Sequence, residues 1–465
     1  MESLPFINPC AVAAFVARTS GGSLLAQLTC AAVLALAPIP PAAVAEPPPA
    51  RDEFMLPVAA QPIPVERLVE EALAHNAELA AARAEAEAAR QRVAPARALE
   101  DPMLEIGVVN APLPSLSLRR EDMTMKMLGL SQKLPYPGKR SLRAAVATAD
   151  SASVALAVEE SANRVARDVR VAYEELRLAD TSTRILARTR DTLKDLVSIT
   201  DARFTVGQAA QSDVLRAQAQ VVQMQQELLR FGQEKAARQS ELNRLLGRRE
   251  AGPPIAPTAA TLAPLRAGPG ALAKEAAERR PQLRALDALV QKNDREFELA
   301  QREYYPDFEL RLGYGQRQRA LDGMPRDDMI TMTLAVNLPI WRKSRLEPRV
   351  AEARAMRRQA SAMANAQRLE TQAGLEQQLA LERQSRESAH LYRTTLLPQL
   401  HAVVQSALGA YRVGRVDFLT LLDAQMKEYE AARGEAEAIA SHNKAIAEID
   451  FLTGAAPGVV QGVLP

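Results

Sequence analysis

Apolar positions in this chain recur at two periods, and the switches between them mark its elements. From Val65 to about Ala98, Leu68, Ala72, Leu79 and Ala82 fall on one helical face with Glu and Arg between them. At Pro102 the period drops to two. Leu104, Ile106 and Val108 alternate with Glu105 and Gly107, a polar stretch runs from Ser115 to Asp122, and Met123 to Leu134 follows, which predicts a β-hairpin over 102–134. Helical text resumes from Arg140 to Thr205, roughly 100 Å at ~1.5 Å per residue. Within it Val165, Val169, Ala172, Leu176, Ala179, Thr183 and Leu186 alternate spacings of four and three, a coiled-coil face. Past Val206-Gly207 a second helix, Ser212 to Leu246, covers only ~52 Å, giving a helical hairpin over 140–246. The helix preceding the strands adds ~50 Å, so two short helices stacked end to end would match one long one.

The same order of elements occurs twice. Arg203-Phe204-Thr205-Val206-Gly207 and Tyr411-Arg412-Val413-Gly414 both interrupt helical text, and seven residues after each Gly the register resumes, with Val214-Leu215 and Leu421-Leu422. These landmarks lie 207 positions apart, as do Leu246-Gly247 and Thr453-Gly454; Pro102 and Pro306, or Leu134-Pro135 and Leu338-Pro339, lie 204 apart. The second β-hairpin therefore covers 306–338, with Phe308, Leu310, Leu312 and Tyr314 as its first apolar face and Met329 to Leu338 as its second strand. A long helix Ser344 to Tyr411 and short ones Phe418 to Leu452 and Ala271 to Glu303 complete the copy, its helical hairpin spanning 344–453. The expected organisation is a first repeat over 65–250, a Pro/Gly-rich linker over 251–270, a second repeat over 271–454 and a tail over 455–465.

Ahead of the repeats, residues 1–45 read as a signal peptide: Arg18, an apolar run from Leu24 to Ala37, then small residues ending Ala43-Val44-Ala45 before Glu46. Both cysteines, Cys10 and Cys30, fall inside it, which removes disulfides and thiol chemistry from the mature chain. Leu28-Thr29 fits a lipid-attachment site at Cys30 poorly, so plain cleavage before Glu46 is expected. Residues 46–64 are Pro-rich and extended. Aromatics are 4% of the chain against 47% hydrophobic residues overall, so its core must be built from Ala, Leu and Val in closely packed helices. A net charge of +2 points away from nucleic acid. After Glu46 no apolar run reaches the ~18 residues of a membrane helix.

The strands, by contrast, have the length and alternation of outer-membrane barrel strands. Four cannot close a barrel, and an open edge in lipid leaves backbone groups unpaired at several kcal/mol each. Several chains must therefore pool their hairpins: two would give eight strands filled by side chains, three would give twelve around a lumen. The repeated tips, the two-fold repeat and the strand-to-helix junctions Leu134-Pro135-Tyr136-Pro137-Gly138-Lys139-Arg140 and Leu338-Pro339-Ile340-Trp341-Arg342 together resemble TolC-type outer-membrane efflux proteins over Val65 to Gly454. The resemblance implies an α+β membrane protein: a homotrimeric 12-stranded outer-membrane β-barrel, four strands per chain, continuing into a periplasmic α-helical coiled-coil barrel. Its implied partners are outer-membrane lipid, a periplasmic adaptor docking on the tips at Val206, Gly207, Val413 and Gly414, and an inner-membrane RND transporter. Pro135, Pro137, Gly138 and Pro339 would shape the junctions, which are most similar to the heavy-metal branch of CusC and CzcC type. Tyr411 and Asp423 stand where the family's closed periplasmic end is held, while Thr420 replaces a second acid and Val416 an Arg.

Other chemistry is sparse. No nucleophile triad, Walker loop, His-Glu-x-x-His or Cys-x-x-Cys occurs, so neither an enzyme nor a cofactor is expected. His75, His390, His401 and His442 stand singly and make no metal site. Met123, Met125 and Met127 carry thioethers suited to Cu(I) or Ag(I), or are simply lipid-facing. Aligning Pro135 with Pro339 puts Leu128 and Leu130 in phase with Met332 and Leu334 on the lipid side, turning the methionines inward and Lys126 and Gln132 outward. A β-bulge would resolve that conflict. The reading is an exit duct for a tripartite pump, with heavy-metal cations as cargo. Drug efflux, type I protein secretion, or a periplasmic coiled-coil adaptor are the alternatives.

Overall fold

A computed structural model describes residues 62–113, 115–248 and 252–455. The signal peptide, Cys10, Cys30, the cleavage site and most of 46–64 lie outside these residues, as do 249–251 of the linker and the tail from 456. In chain order the elements are β1 (Pro62–Ile63), α1 (Val65–His75), α2 (Ala77–Gln91), α3 (Val93–Arg97), β2 (Met103–Val109), β3 (Met125–Leu134), α4 (Lys139–Thr205) and α5 (Gln211–Leu245). They continue with β4 (Ala256–Pro257), α6 (Pro269–Arg279), α7 (Pro281–Arg302), β5 (Phe308–Arg317), β6 (Met329–Val336), α8 (Glu347–Leu391), α9 (Leu397–Arg412) and α10 (Phe418–Leu452).

The four long strands form one antiparallel sheet in the order β2-β3-β5-β6, with β2 and β6 as its edges. Period two gives this sheet two unlike faces. Leu104, Ile106, Leu128, Leu130, Leu312, Ile330, Met332 and Leu334 share one face and are all exposed, Ile106 to 78% and Ile330 to 83%. Glu105, Ser131, Arg311, Thr331 and Thr333, with Gly129 and Gly313, share the other. The expected bulge is absent. Both ladders of β3 run without interruption from Met125 to its end, so Met125 and Met127 do lie on the polar, small-residue face. Its glycines accommodate them: a Cβ on Gly315 would meet Met125 Sδ at 2.3 Å, and one on Gly313 would meet Met127 Cε at 2.8 Å. Lys126 and Gln132 stay outward near the two ends of the strand, and Gln132 donates to Glu100 O at 2.8 Å. Met123 precedes the strand and is exposed.

Two helices expected to be continuous, Val65 to Ala98 and Ala271 to Glu303, are interrupted at three places. Asn76 divides α1 from α2, Arg92 divides α2 from α3, and Arg280 divides α6 from α7. At Asn76 one side chain serves two helices: Oδ1 accepts from Leu79 N at 3.1 Å, capping α2, and Nδ2 donates to Leu245 O at 2.9 Å, satisfying the end of α5. At Arg280 the following Pro281 enforces an extended backbone, and the guanidinium donates to Thr371 Oγ1 at 2.7 Å and Glu160 Oε1 at 3.2 Å. The long helix of the second half contains π turns at Arg342–Leu346 and Tyr392–Leu396. Pro348 and Pro398 follow them; lacking an N–H, each Pro deletes an i→i−4 bond, and the helix widens ahead of it.

Helix α4 is the spine against which α1, α2, α5, α7 and α10 pack. Among the described residues it is the one helix long and apolar enough to cross a membrane by length and composition; within it Ser153 Oγ donates to Ala285 O at 2.9 Å, and Val158 clusters with Leu79 and Ala86. The segment between β4 and α6 is stitched to the helices. Tyr173 Oη donates to Ile63 O at 2.9 Å and accepts from Thr258 N at 2.8 Å, where β1 pairs in parallel with β4. Asn443 accepts from Ala263 N and donates to Thr261 O, both at 2.9 Å. His442 is buried, its Nε2 donating to Ala263 O at 2.8 Å.

The C-terminal end of α5 abuts the break after α1, and Gly247, at φ +70°, allows that contact: a Cβ there would lie 2.3 Å from His75 O. Around Gly207, also at φ +70°, nothing lies within 4 Å of such a Cβ. Gly207→Ala should therefore cost only the left-handed backbone penalty, about 1 kcal/mol. Gly247→Ala should cost roughly 2–4 kcal/mol, because a packed carbonyl must also move. Helix melting followed by circular dichroism distinguishes the two, and equal losses would show that the end of α5 is free of His75.

Candidate functional site

Both helical hairpins turn through the same hydrogen-bonded cap. At the first, Gln208 N donates to Arg203 O at 2.8 Å and Gly207 N to Phe204 O at 2.9 Å; at the second, Arg415 N donates to Ala410 O at 2.9 Å and Gly414 N to Tyr411 O at 3.0 Å. This is the Schellman arrangement, which needs a left-handed residue after the helix, and Gly207 and Gly414 have φ of +70° and +74°. Each cap leaves a valine projecting: Val206 is 66% exposed and Val413 69%. The return helix of the second tip is capped by Asp417, whose carboxylate accepts from Thr420 N at 3.2 Å and from the Thr420 hydroxyl. The Thr420 hydroxyl bond, with that amide, holds the Asp417 carboxyl below its ordinary pKa. Thr420 is thus engaged in capping.

Tyr411 is only 3% exposed. Its ring lies edge-on to Phe418 at 6.0 Å, and its hydroxyl donates to Thr200 Oγ1 at 3.2 Å. The Arg203 guanidinium sits 4.6 Å over that ring, donates to Tyr411 O, and donates to Gln208 O at 3.2 Å. One cation of the first tip therefore holds the backbone of both. Sequence reasoning missed Arg203, although a signal existed: its counterpart 207 positions on is Ala410, the one place in this short motif where a charge faces a methyl. Asp423 is not brought to Tyr411. It is exposed on α10 and pairs with Lys427 at 2.8 Å, raising the ammonium pKa through the hydrogen bond and its charge.

The two strand-to-helix junctions differ in construction. At the first, Pro135 and Pro137 flank Tyr136, which stacks on Tyr305 at 4.6 Å, and Gly138, at φ +94°, starts α4. Lys139 is 4% exposed, a position that demands compensation of its charge. Its Nζ donates to Tyr305 O and Asp307 Oδ1, both at 2.8 Å, and Tyr136 N donates to the same carboxylate oxygen at 2.8 Å. At the second junction, Ile340 N donates to Leu338 O across Pro339 at 2.9 Å, and Leu338, Ile340 and Trp341 are exposed. Among the described residues no three His, Cys, Asp or Glu side chains converge as a metal site. His401 instead pairs with Glu428 at 2.8 Å.

Because Arg203 touches both tips, Arg203→Ala should loosen them together. Amide exchange at 204–208 and at 411–415 should rise about five- to thirtyfold, the range set by ~1–2 kcal/mol for the lost cation–π contact and hydrogen bonds. Acceleration confined to the first tip would show that the guanidinium bridges nothing.

The outer membrane efflux protein family matches this chain over residues 68–248 and 272–455, more than half of its length. Among solved structures it is similar to the outer-membrane channel OprN, at 21% identity and a TM-score of 0.71 over 84% of this chain and 90% of that one. It is also similar to CusC, at 15% identity and a TM-score of 0.71 over 84% and 91% of the two chains. The outer membrane protein VceC from Vibrio cholerae aligns at 18% identity and a TM-score of 0.70, over 84% and 96%. No curated protein sequence matches. At these identities the solved structures speak for the fold, and the two family matches, one over each half of the chain, establish that this protein belongs to the outer membrane efflux protein family.

Proposed function

We propose that three copies of this chain close a twelve-stranded barrel and act as the passive exit duct of a tripartite pump, receiving substrate from an inner-membrane RND transporter through a periplasmic adaptor. The observation that carries this reading is the four-stranded sheet with one largely exposed apolar face and two unpaired edges. Such a sheet is stable in a membrane only when its edges pair. The polar and small residues of the opposite face then line a lumen. The helices support the same assembly, since Leu215, Val222 and Leu229 on α5 are exposed at intervals of seven, as are Leu396 and Val403 at the start of α9. Apolar stripes at that interval fit packing against neighbouring helices. A soluble adaptor has no use for this sheet.

For cargo we propose heavy-metal cations, a reading that rests on the Pro-Gly-Lys-Arg and Pro-Ile-Trp junctions. Restoring the chain to a strain lacking its own duct, then challenging that strain with copper, silver and zinc salts and with a panel of drugs, decides between cargo classes. The exposed tip valines and the Gly caps behind them are the proposed adaptor contacts. The gate proposal keeps Tyr411 as a buried anchor of the second tip and Asp423 as an exposed group on its return helix.

Gly414→Val tests the docking role. A branched residue costs about 1–2 kcal/mol in this left-handed position, and its Cβ would meet Arg203 Nη2 at 3.3 Å. Native mass measurement should still find three copies, at near-normal abundance in the outer membrane, while resistance to the exported substrate is lost. Failure to reach the membrane would make the tip a folding element, unchanged resistance would remove it from docking, and a different copy number would overturn the closure.

A further inference from the structure

The second junction carries a surface that duct function does not use. Beyond the outward row of β6, in Ile330, Met332, Leu334 and Val336, the exposed Leu338 and Ile340 flank the turn at Pro339, and Trp341 follows at 67% exposure. Three cations come next, Arg342, Lys343 and Arg345, all exposed. Of these, Arg345 lines a cavity of about 520 Å³ between the two junctions, together with a fourth cation, Arg143. None of the four makes an ion pair or side-chain hydrogen bond among the described residues. Their neighbours do: Lys139 holds Asp307 at 2.8 Å and Arg349 holds Glu303 at 3.2 Å, so both carboxylates bordering the cavity are already engaged. Glu347, the next carboxylate along the chain, pairs with none of the four cations.

We propose that this junction binds the headgroup of an anionic phospholipid in the periplasmic leaflet of the outer membrane, with Arg345 and Arg143 at the phosphate, Arg342 and Lys343 adding exposed positive charge beside it, and Leu338, Ile340 and Trp341 against the acyl chains. The assignment rests on the outer-membrane reading above. Exposed Trp belongs at a membrane–water boundary, and Arg and Lys just beyond it gain from anionic headgroups. The order along the chain is apolar strand, aromatic residue, then cations, which is the order met on leaving a leaflet. A free phosphate would use the cations but has no use for the three apolar side chains. The first junction supplies an internal contrast. Lys139, the counterpart of Lys343 by the 204-residue offset, is buried and neutralised by Asp307, while Tyr136, the counterpart of Ile340, is stacked on Tyr305. One lipid site per chain follows.

The test uses the full-length protein purified from outer membranes in detergent, with native mass spectrometry reading the retention of added phosphatidylglycerol. Wild type should retain it in preference to phosphatidylcholine, and R342Q/K343Q/R345Q should weaken retention about tenfold or more. Trp341→Ala should weaken it a few-fold, and Arg358→Gln, an exposed cation elsewhere on α8, should leave it unchanged. Circular dichroism and the heat-modifiable mobility of the barrel report whether each variant has folded. Equal retention by wild type and the triple variant overturns the proposal. So does competition by glycerol phosphate as effective as by the lipid, which makes this a free-anion site. Loss of subunit association by the triple variant without added lipid would make it a contact between copies, which also overturns it. If the wild-type protein needs no detergent and forms no heat-modifiable barrel, the outer-membrane reading itself fails, an outcome separate from a membrane barrel indifferent to lipid charge.

Discussion

Two sheet edges that cannot be left open govern the architecture. β2 and β6 each present a row of backbone donors and acceptors, and the apolar face between them belongs in a medium that offers no water to satisfy those groups. Closure with other copies is the response available to a four-stranded sheet. The helices then have little freedom, because α4 and the turn leading into α8 begin within a few residues of β3 and β6. The positions of the strands thus fix where the long helices start, and the short helices α1, α2 and α5 stack along α4.

Polar side chains are placed where helices end. Asn76 satisfies the start of one helix and the end of another, and Arg280 does comparable work for the second half through Thr371 and Glu160. Tyr173, His442 and Asn443 bind the segment between the halves to the helices it crosses. A breakpoint in a helix would otherwise expose backbone groups in the interior. Burial raises the pKa of Glu160 and Glu174, with Arg280 and Arg177 opposing the rise. Those pairs therefore compensate for their own desolvation more than they add stability.

Much of this was legible in the sequence, for identifiable reasons. Period two and period 3.6 are strong signals over long segments, so the strands and the long helices could be placed within a few residues. The tips were visible because a Val-Gly pair recurs in otherwise uninterrupted helical text. What escaped depended on partners distant in sequence. Met125 and Met127 lie on the polar face without a bulge because Gly313 and Gly315, nearly two hundred residues away, leave room above β5. The break at Asn76 reads as an ordinary polar position until Leu245 is beside it. Arg203 looks like one more solvated arginine, and only the fold shows it lying on Tyr411.

The π turns before Pro348 and Pro398 bear on how the two halves can differ and still match. Landmarks of the two halves are 204 residues apart at the junctions but 207 apart at the tips, so the second long helix carries three more residues than the first. In a uniform α-helix that surplus would push the second tip ~4.5 Å beyond the first. A π turn holds an extra residue per turn with less advance, and both π turns lie between those landmarks. At about one residue each they absorb two of the three surplus residues, so the second long helix gains length in sequence with little gain in rise. A helix that absorbs inserted residues locally in this way changes the height of its tip less than its length in residues implies.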